Sequence, residues 1–297
     1  RSTLFPYTTL FRSRTLALVG ESGCGKSMSA MSIMGLIPKT ARITSGEILY
    51  NGENLLNNTQ KQMQKIRGSK IALIPQDPMT SLNPLYTVGN QLLEVIKIHQ
   101  NLEGDEALKK AVEAFEAVQI PSAKSRLNNY PHEFSGGMKQ RAIIAMALSC
   151  NADILIADEP TTALDVTIQA QIMNILNDIK CKNNTSILLI THDLALVSEY
   201  TDDVAVMYAG RIVEQAPKEL FFANPNHPYS KALLKSLPSN STSRLETIKG
   251  QPPTLSENIQ GCKFNPRCNY RMEVCAKNVP EFREIYPSHK SACFLND

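Results

Sequence analysis

Residues 20–27 read GESGCGKS, in which four residues separate Gly20 from Gly25 and Lys26 and Ser27 follow. An apolar run, TLALVG at 15–20, precedes them, and helix-forming residues continue from Gly25 to about Leu36. Strand, tight loop and helix in this order predict a phosphate-binding loop whose backbone N–H groups face phosphate oxygens. Lys26 is expected to neutralise the β- and γ-phosphates, and the Ser27 hydroxyl to bind Mg²⁺. The predicted nucleotide-binding residues here are Gly20, Glu21, Ser22, Gly23, Cys24, Gly25, Lys26 and Ser27.

A second acidic motif, ILIADE at 154–159, is an apolar strand that ends in two carboxylates. Phosphoryl-transfer sites need a negative anchor for Mg²⁺, and we predict that Asp158 serves as one through water. Glu159 is then placed to polarise the water that attacks the γ-phosphate. Alone, such a strand end is common. Together with the phosphate loop it indicates an ATP-hydrolysing site with ATP and Mg²⁺ as cofactors.

Strand and helix patterns alternate along most of the chain, which predicts an α/β fold with a mainly parallel sheet. Residues 88–150 contain only helix-period runs, at Val88–His99, Asp105–Val118 and Gly137–Ser149. They are therefore expected to form a helical insertion subdomain. The predicted strands are 15–20, 47–50, 70–74, 153–157, 186–191 and 204–208.

Composition limits the possible functions. With 42% apolar and 20% charged residues, the 297-residue chain has the composition of a globular protein. Its net charge of +3, without a run of like charges, does not favour a nucleic-acid partner. Apolar runs fall far short of the roughly 20 residues that span a bilayer, and no secretory signal is visible, so we expect an intracellular chain with a peripheral membrane role.

The segment FSGGMKQR at 134–141 precedes a helix pattern and resembles the signature motif of ABC ATPases. Other motifs follow in the order of that family: Gln76 in IPQDP, residues 162–165 after Glu159, and His192 in ITHD. The resemblance implies the P-loop ATPase fold of the ABC type. It also implies a dimer in which the signature of one subunit closes over ATP held by the phosphate loop of the other.

The same resemblance assigns further roles. Glu159 and His192 are expected to be catalytic, with His192 sensing the γ-phosphate. Gln76 is expected to reach the Mg²⁺ and nucleotide site and, with the helical insertion, to pass motion to transmembrane subunits. The signature and the segment after Glu159 are expected to contribute Ser135, Gly136, Gly137 and Asp165 to nucleotide binding.

Three longer segments are more specific: IPQDPMTSLNP at 74–84, HEFSGGMKQRAIIAMAL at 132–148 and IADEPTTALDVTIQAQI at 156–172. They are similar to the D-type ATPase subunit of dipeptide and oligopeptide importers, as is NPNHPYSKALLKSLP at 224–238. Met138 stands where most signatures carry Gln. The likeness implies an F-type ATPase partner in a heterodimer, or else a homodimer.

It further implies two transmembrane permease subunits, an extracellular or periplasmic solute-binding protein, and a position on the cytoplasmic face of the cell membrane. Nickel importers and some sugar or opine importers share these features, so the solute stays open. Soluble ABC ATPases acting on DNA or ribosomes would carry a coiled-coil insertion or a second nucleotide domain. A non-hydrolysing regulatory subunit would lack Glu159 or His192, and both are present.

Four of the seven cysteines lie near the C-terminus, as Cys262, Cys268, Cys275 and Cys293, with five, six and seventeen residues between them. Thiolates at such spacing can hold a four-iron cluster, and the family resemblance points the same way. We therefore expect a [4Fe-4S] cluster there. Zinc and unliganded cysteines remain alternatives. The other three, Cys24, Cys150 and Cys181, are interpreted as small packing residues.

The N-terminus departs from the family, which has about 40 residues before the phosphate loop where this chain has 19. Thr3–Ser13, TLFPYTTLFRS, matches the translation of a sequencing-adapter oligonucleotide, and we interpret residues 1–13 as a non-native segment. Tyr7 lies too close to Gly20 to stack on adenine. The predicted domains are therefore a nucleotide-binding domain at 14–238, with its helical subdomain at about 88–150, and a Cys-rich C-terminal appendage at 239–297.

Overall fold

The structure, a computed structural model, describes residues 13–162, 164–236, 248–254, 257 and 259–296. These residues form two compact units. The first unit contains residues 15–46 and the chain from Leu189 onward, and the second unit contains residues 13–14 and 47–188. Tyr7 and nearly all of the segment that we interpret as non-native lie outside the described residues. The domain boundaries proposed from the sequence remain predictions.

The strands are β1 Thr15–Val19, β2 Leu49–Tyr50, β3 Glu53–Asn54, β4 Ile71–Ile74, β5 Ile154–Asp158, β6 Ser186–Thr191, β7 Asp203–Tyr208, β8 Arg211–Pro217, β9 Arg283–Tyr286 and β10 His289–Ser291. The helices are α1 Lys26–Ile33, α2 Gln60–Ile66, α3 Pro78–Ser81, α4 Val88–Gln100, α5 Gly104–Ala117, α6 Ala123–Arg126, α7 Gly136–Leu148, α8 Val166–Asn183, α9 Leu194–Tyr200, α10 Lys218–Ala223, α11 Pro228–Lys235 and α12 Glu273–Lys277. The fold is the α/β fold that the alternating patterns predict.

In the first unit, β1 pairs in parallel with β7, from Leu16 opposite Asp203 to Val19 opposite Val206. All five residues of β1 are buried, as expected for a strand covered on both faces. β7 then pairs antiparallel with β8. The parallel pair is the scaffold for the phosphate loop, because the loop leaves the carboxyl end of β1.

The C-terminal segment extends this sheet. β10 pairs antiparallel with β8, with Lys290 opposite Gln215 and Ser291 opposite Glu214, and β9 pairs antiparallel with β10. Phe264, from the same segment, belongs to the core cluster that includes Val19 and Tyr208. The sheet is therefore mixed, and the antiparallel pairings come from strands that the alternation of patterns does not reveal.

The second unit contains the parallel pair β4–β5, with Ile71 opposite Ile154 and Ile74 opposite Ala157. A two-residue turn joins β2 and β3 into a small hairpin. Residues 88–150, all described, contain helices and no strand, as the sequence predicts. Their helices bury Leu92, Ile96 and Phe115, and the Phe115 ring meets that of Phe134 edge-on at 6.4 Å between centroids.

Among the helices that the structure describes, none combines the length and the apolar character needed to cross a membrane.

Candidate functional site

The phosphate loop connects β1 to α1. Gly20 is required by close packing, because a Cβ at this position would lie 2.2 Å from the backbone oxygen of Met207. Gly23 and Gly25 adopt positive φ angles of 78° and 110°, which L-residues with side chains rarely take. The three glycines thus let the chain turn tightly against β7 before α1 begins.

The start of α1 suits a phosphate group. Gly25 occupies the N-cap position and has no side chain with which to cap the helix, and the first turn contains no acidic residue. A Cβ on Gly23 would meet nothing within 4 Å among the described residues, so the loop is open at this point. Backbone N–H groups at an uncapped helix start bind phosphate, so the residues present fit a nucleotide.

Lys26 is buried, with 6% of its surface exposed. Its Nζ donates to the backbone oxygens of Gly20 at 2.7 Å and Glu21 at 3.1 Å. The ammonium group is therefore held at the mouth of the loop by carbonyl oxygens. Ser27 follows at the second position of α1, and Cys24 is buried, which raises the pKa of its thiol. The neutral Cys24 thiol therefore serves as a small packing group in the loop.

His192, the other candidate in the first unit, follows β6 and is exposed. Asp193, the next residue, caps α9 through Oδ1, which accepts hydrogen bonds from the backbone N–H groups of Ala195 and Leu196. The backbone N–H of Asp193 also donates to Thr191 Oγ1 at 3.0 Å, so hydrogen bonds hold the chain on both sides of His192.

In the second unit, β5 ends with Asp158, which is 2% exposed. Glu159 follows with a positive φ of 47°, a conformation that is uncommon for residues other than glycine. Its Oε2 accepts hydrogen bonds of 3.0 Å from Gln76 Nε2 and from Thr162 Oγ1. The structure therefore brings together two predicted site residues that lie 83 positions apart in the sequence.

The signature segment begins α7. Ser135 is the N-cap and its Oγ accepts a hydrogen bond of 3.3 Å from Met138 N. Ser135 and Gly136 are exposed, and Gly137 is partly exposed. This gives an accessible helix start lined by small residues, which is suited to an anion. Asp165 caps α8, its Oδ1 accepting from Ile168 N at 2.9 Å, while Ala163 in the same motif lies outside the described residues.

The expectation of a [4Fe-4S] cluster is wrong. Within the described residues, which include Cys262, Cys268, Cys275 and Cys293, no three His, Cys, Asp or Glu side chains are arranged to hold a metal ion. The four cysteines line one pocket, but burial raises the pKa of three of them, that of Cys293 to about 11. Burial therefore favours the neutral thiol form of these three side chains. Instead, Cys268 Sγ accepts a hydrogen bond from Tyr270 N and Cys275 Sγ from Met272 N.

Sequence reasoning missed the residues that surround the phosphate loop in the first unit. Arg267, between two of the C-terminal cysteines, forms an ion pair with Glu21 at 2.6 Å. The hydroxyl of Tyr229, in α11, accepts a hydrogen bond of 2.9 Å from Glu21 N. Tyr229 lies in a segment that the sequence singles out, but Arg267 carries no local signal.

Taken together, the phosphate loop, the strand that ends in Asp158 and Glu159, and the exposed signature helix define an ATPase of the P-loop class. Residues 7–162 match the family model described as ABC transporter, and residues 213–275 match the model described as Oligopeptide/dipeptide transporter, C-terminal region. The chain belongs to the ABC transporter family.

Curated relatives match over nearly the whole chain. "Probable peptide ABC transporter ATP-binding protein y4tR" of Sinorhizobium fredii is 52% identical, over 95% of this chain and 85% of its own length. The oligopeptide transport ATP-binding protein OppD of Escherichia coli is 48% identical, over 96% of this chain and 85% of its own length. The dipeptide transport ATP-binding protein DppD of Bacillus subtilis is 48% identical, over 97% and 87%.

Solved ABC cassettes share the fold. The structure of cbiO1 from Clostridium perfringens, part of the ABC transporter complex cbiONQ, matches with a TM-score of 0.64 and 29% identity, over 73% of this chain and 82% of that one. The ATP-binding cassette MJ0796, in a dimeric post-hydrolysis state bound to ADP and Pi, matches with a TM-score of 0.64 and 25% identity. The match covers 71% of this chain and 88% of that one.

Proposed function

We propose that this chain is the ATP-hydrolysing subunit that powers the import of dipeptides and oligopeptides across the cytoplasmic membrane. The observation that carries the proposal is the joint presence, in one chain, of an ABC transporter match and an oligopeptide/dipeptide transporter C-terminal match. Relatives named for peptide transport at 48–52% identity over nearly the whole chain support it.

The phosphate loop binds the nucleotide in this proposal. The backbone N–H groups at the end of the loop and in the first turn of α1 face the phosphates, Lys26 exchanges its carbonyl partners for phosphate oxygens, and Ser27 binds Mg²⁺. The uncapped start of α1 and the open position at Gly23 support this assignment. Magnesium, when bound, neutralises charge on the phosphates.

Glu159 acts as the general base toward the attacking water, and Asp158 anchors Mg²⁺ through water. The hydrogen bonds from Gln76 and Thr162 fix the direction of the Glu159 carboxylate, which a base requires. Gln76 thereby links the base to the loop that continues into α3. His192 senses the γ-phosphate, and Asp165 joins the nucleotide contacts.

The signature at Ser135, Gly136 and Gly137 binds the ATP held by a second subunit. An exposed helix start with small side chains admits a phosphate to its N–H groups, which supports the assignment. Because Met138 replaces the usual Gln, we propose that the second subunit is an F-type ATPase rather than a copy of this chain. ATP binding closes the pair, and hydrolysis reopens it.

Two permease subunits receive this motion on the cytoplasmic face of the membrane, and a solute-binding protein delivers the peptide on the other side. The test is ATP hydrolysis by the chain assembled with its permease subunits and F-type partner in proteoliposomes. Adding binding protein loaded with a defined tripeptide is expected to stimulate hydrolysis. Lys26→Ala is expected to abolish it, and the exposed Lys39→Ala serves as the control.

If nickel-loaded binding protein stimulates hydrolysis and peptide-loaded binding protein does not, the chain would instead power a nickel importer. Absence of nucleotide turnover in the complete assembly would refute the ATPase assignment itself.

A further inference from the structure

Arg267 and Glu21 form a bidentate ion pair in the first unit. Arg267 Nη1 lies 2.6 Å from Glu21 Oε2, and Nη2 lies 3.0 Å from Oε1. The Arg267 side chain is 6% exposed and that of Glu21 is 25% exposed. Two parallel N–H···O bonds of this kind fix both the position and the plane of the carboxylate. The second residue of the phosphate loop is therefore held by a residue 246 positions later in the chain.

Other contacts fix the Arg267 guanidinium. Its Nε donates to Lys249 O at 3.0 Å, and Nη2 donates to Gly250 O at 3.2 Å. Its Cζ lies 5.8 Å from the centroid of the Tyr208 ring, and Nη1 donates to the Tyr208 hydroxyl at 3.3 Å. Because Glu21, Tyr208 and the backbone at 249–250 all hold the guanidinium group, Arg267 is a rigid support and not a mobile surface charge.

Glu21 in turn contacts the residues that handle phosphate. Its backbone oxygen accepts hydrogen bonds from Lys26 Nζ at 3.1 Å and from Cys24 N at 3.3 Å. Its backbone N–H donates to the fully buried Tyr229 hydroxyl, which leaves that N–H engaged away from any phosphate. Glu21 thus contacts Arg267 through its carboxylate and Lys26 through its backbone oxygen.

We propose that Arg267 is a positioning residue for the phosphate loop, which through Glu21 sets the affinity for MgATP and couples the C-terminal segment to nucleotide binding. The inference rests on the proposed function, since it concerns the same nucleotide site.

Electrostatics gives the reason. A carboxylate beside a triphosphate opposes binding unless a cation neutralises it, and without Arg267 the Glu21 carboxylate would also compete with phosphate for Lys26. Arg267 removes both effects. By thermodynamic reciprocity, MgATP that strengthens the pair must also stabilise the segment that carries Arg267.

The test uses the full-length chain and a fluorescent trinitrophenyl-ATP with Mg²⁺, displaced by ATP. Arg267→Ala is expected to weaken MgATP binding about tenfold, within the usual range of coupling between sites. Glu21→Gln/Arg267→Ala is expected to recover most of the affinity, since the unpaired charge is gone. Arg271→Ala, an exposed arginine of the same segment, is the matched control and should bind as the unaltered chain does.

If Arg267 only stabilised the fold, Arg267→Ala would lower the thermal midpoint of unfolding, and adding Glu21→Gln would not restore MgATP affinity. Arg267→Ala binding within twofold of the unaltered chain, or a weakened variant that Glu21→Gln does not rescue, would overturn the inference. Should Arg267→Ala not fold, Glu21→Gln alone and Arg267→Lys decide the question. Arg267→Lys, which keeps the charge but not the fork, is expected to fall between the unaltered chain and Arg267→Ala.

Hydrogen exchange gives an independent readout. MgATP is expected to slow amide exchange in residues 262–275 of the unaltered chain and not in Glu21→Gln/Arg267→Ala. Equal slowing in both would contradict the coupling. If the unaltered chain fails to bind the fluorescent nucleotide at all, the proposed function falls and this inference falls with it, which is a different result from normal binding by Arg267→Ala.

Discussion

Gln76 Nε2 donates a hydrogen bond of 3.0 Å to Glu159 Oε2. Glu159 sits on a left-handed turn after β5, where Thr162 Oγ1 donates to the same oxygen. The carboxylate is therefore aimed by two donors before any water is activated. If Glu159 is the base, as we propose, a carboxylate held in this way loses little entropy when the proton is transferred.

Glu159→Gln is expected to lower kcat for ATP hydrolysis by about 10²- to 10⁴-fold while MgATP still binds, because the amide keeps the shape of the side chain but cannot take a proton. Single-turnover hydrolysis and nucleotide binding measure the two effects separately. Glu94→Gln, an exposed change in α4, is the control. Wild-type turnover by Glu159→Gln would exclude Glu159 as the base.

Gly89 and Gly136 both lie in the first turn of a helix, so replacing each by alanine gives a matched comparison of unfolding free energies. A Cβ at Gly89 would lie 2.3 Å from Leu127 O, whereas one at Gly136 would meet nothing within 4 Å among the described residues. We expect Gly89→Ala to lower the free energy of unfolding by about 1–3 kcal/mol, and Gly136→Ala to raise it by up to about 1 kcal/mol. Urea unfolding measures both.

Gly136→Ala should nevertheless weaken ATP-dependent pairing of the subunits, because the added methyl group occupies the exposed start of α7. Equal unfolding free energies for the two variants would show that the close approach at Gly89 relaxes without strain.

The elements that the sequence predicts best are those with uninterrupted patterns. The apolar run at 15–20 becomes β1, and helix periodicity places α4 and α5 to within a residue or so. β8 escaped prediction because it contains Glu214, a charged residue that breaks an apolar pattern. Glu214 is fully buried and its partner His289, 75 positions later, contacts it at 2.7 Å. Only the folded chain reveals that pairing.

Around the nucleotide site, too, some residues could be predicted from the sequence and others could not. Glycine spacing identifies the phosphate loop because backbone geometry requires those residues at those positions. The Glu21–Arg267 pair has no such spacing, since any loop could deliver the arginine. The cluster prediction failed because sequence spacing alone cannot report whether thiol groups are arranged to hold a metal ion or instead accept hydrogen bonds from the backbone.

Stability should fall in mild acid because of His227. Burial lowers the pKa of this 1% exposed imidazole to about 4, from an ordinary 6.5, despite the nearby Glu214 carboxylate, which raises it. The neutral ring accepts a hydrogen bond from Tyr229 N at Nδ1. Since the unfolded chain takes up a proton near pH 6.5 and the folded chain only near pH 4, stability present above pH 6.5 is lost as the pH falls between these values.

Between pH 7.5 and pH 5 the loss is expected to be about 2 kcal/mol. Glu214 stays ionised over this range: burial raises its pKa, but the hydrogen bonds from His289 and from the backbone N–H groups of Asn226 and His227 lower it by more. His227→Asn keeps an acceptor for Tyr229 N and should remove this loss. Chemical unfolding at the two pH values tests it, with exposed His132→Asn as the control. An unchanged pH slope in His227→Asn would assign the acid sensitivity to another group.

Arg141, the last residue of the signature segment, is expected to stabilise the second unit and not to bind nucleotide. It is 8% exposed, and its Nη1 donates to Val118 O at 3.2 Å and Gln119 O at 2.9 Å, at the end of α5. Its Nη2 donates to Gln171 Oε1 in α8. Replacing it leaves the buried carbonyl oxygen of Val118 and the partly buried one of Gln119 without their donor.

Arg141→Gln should therefore lower the free energy of unfolding by about 2–4 kcal/mol, while MgATP affinity at a temperature where the variant stays folded remains unchanged. Urea unfolding and nucleotide titration on the same preparation separate the two quantities. Lys124→Gln, exposed in α6, should change stability by less than about 0.5 kcal/mol. A variant of normal stability with weakened binding would instead place the Arg141 charge among the groups that contact ATP, since a group that only ties α5 to α7 and α8 cannot change affinity without first loosening those helices.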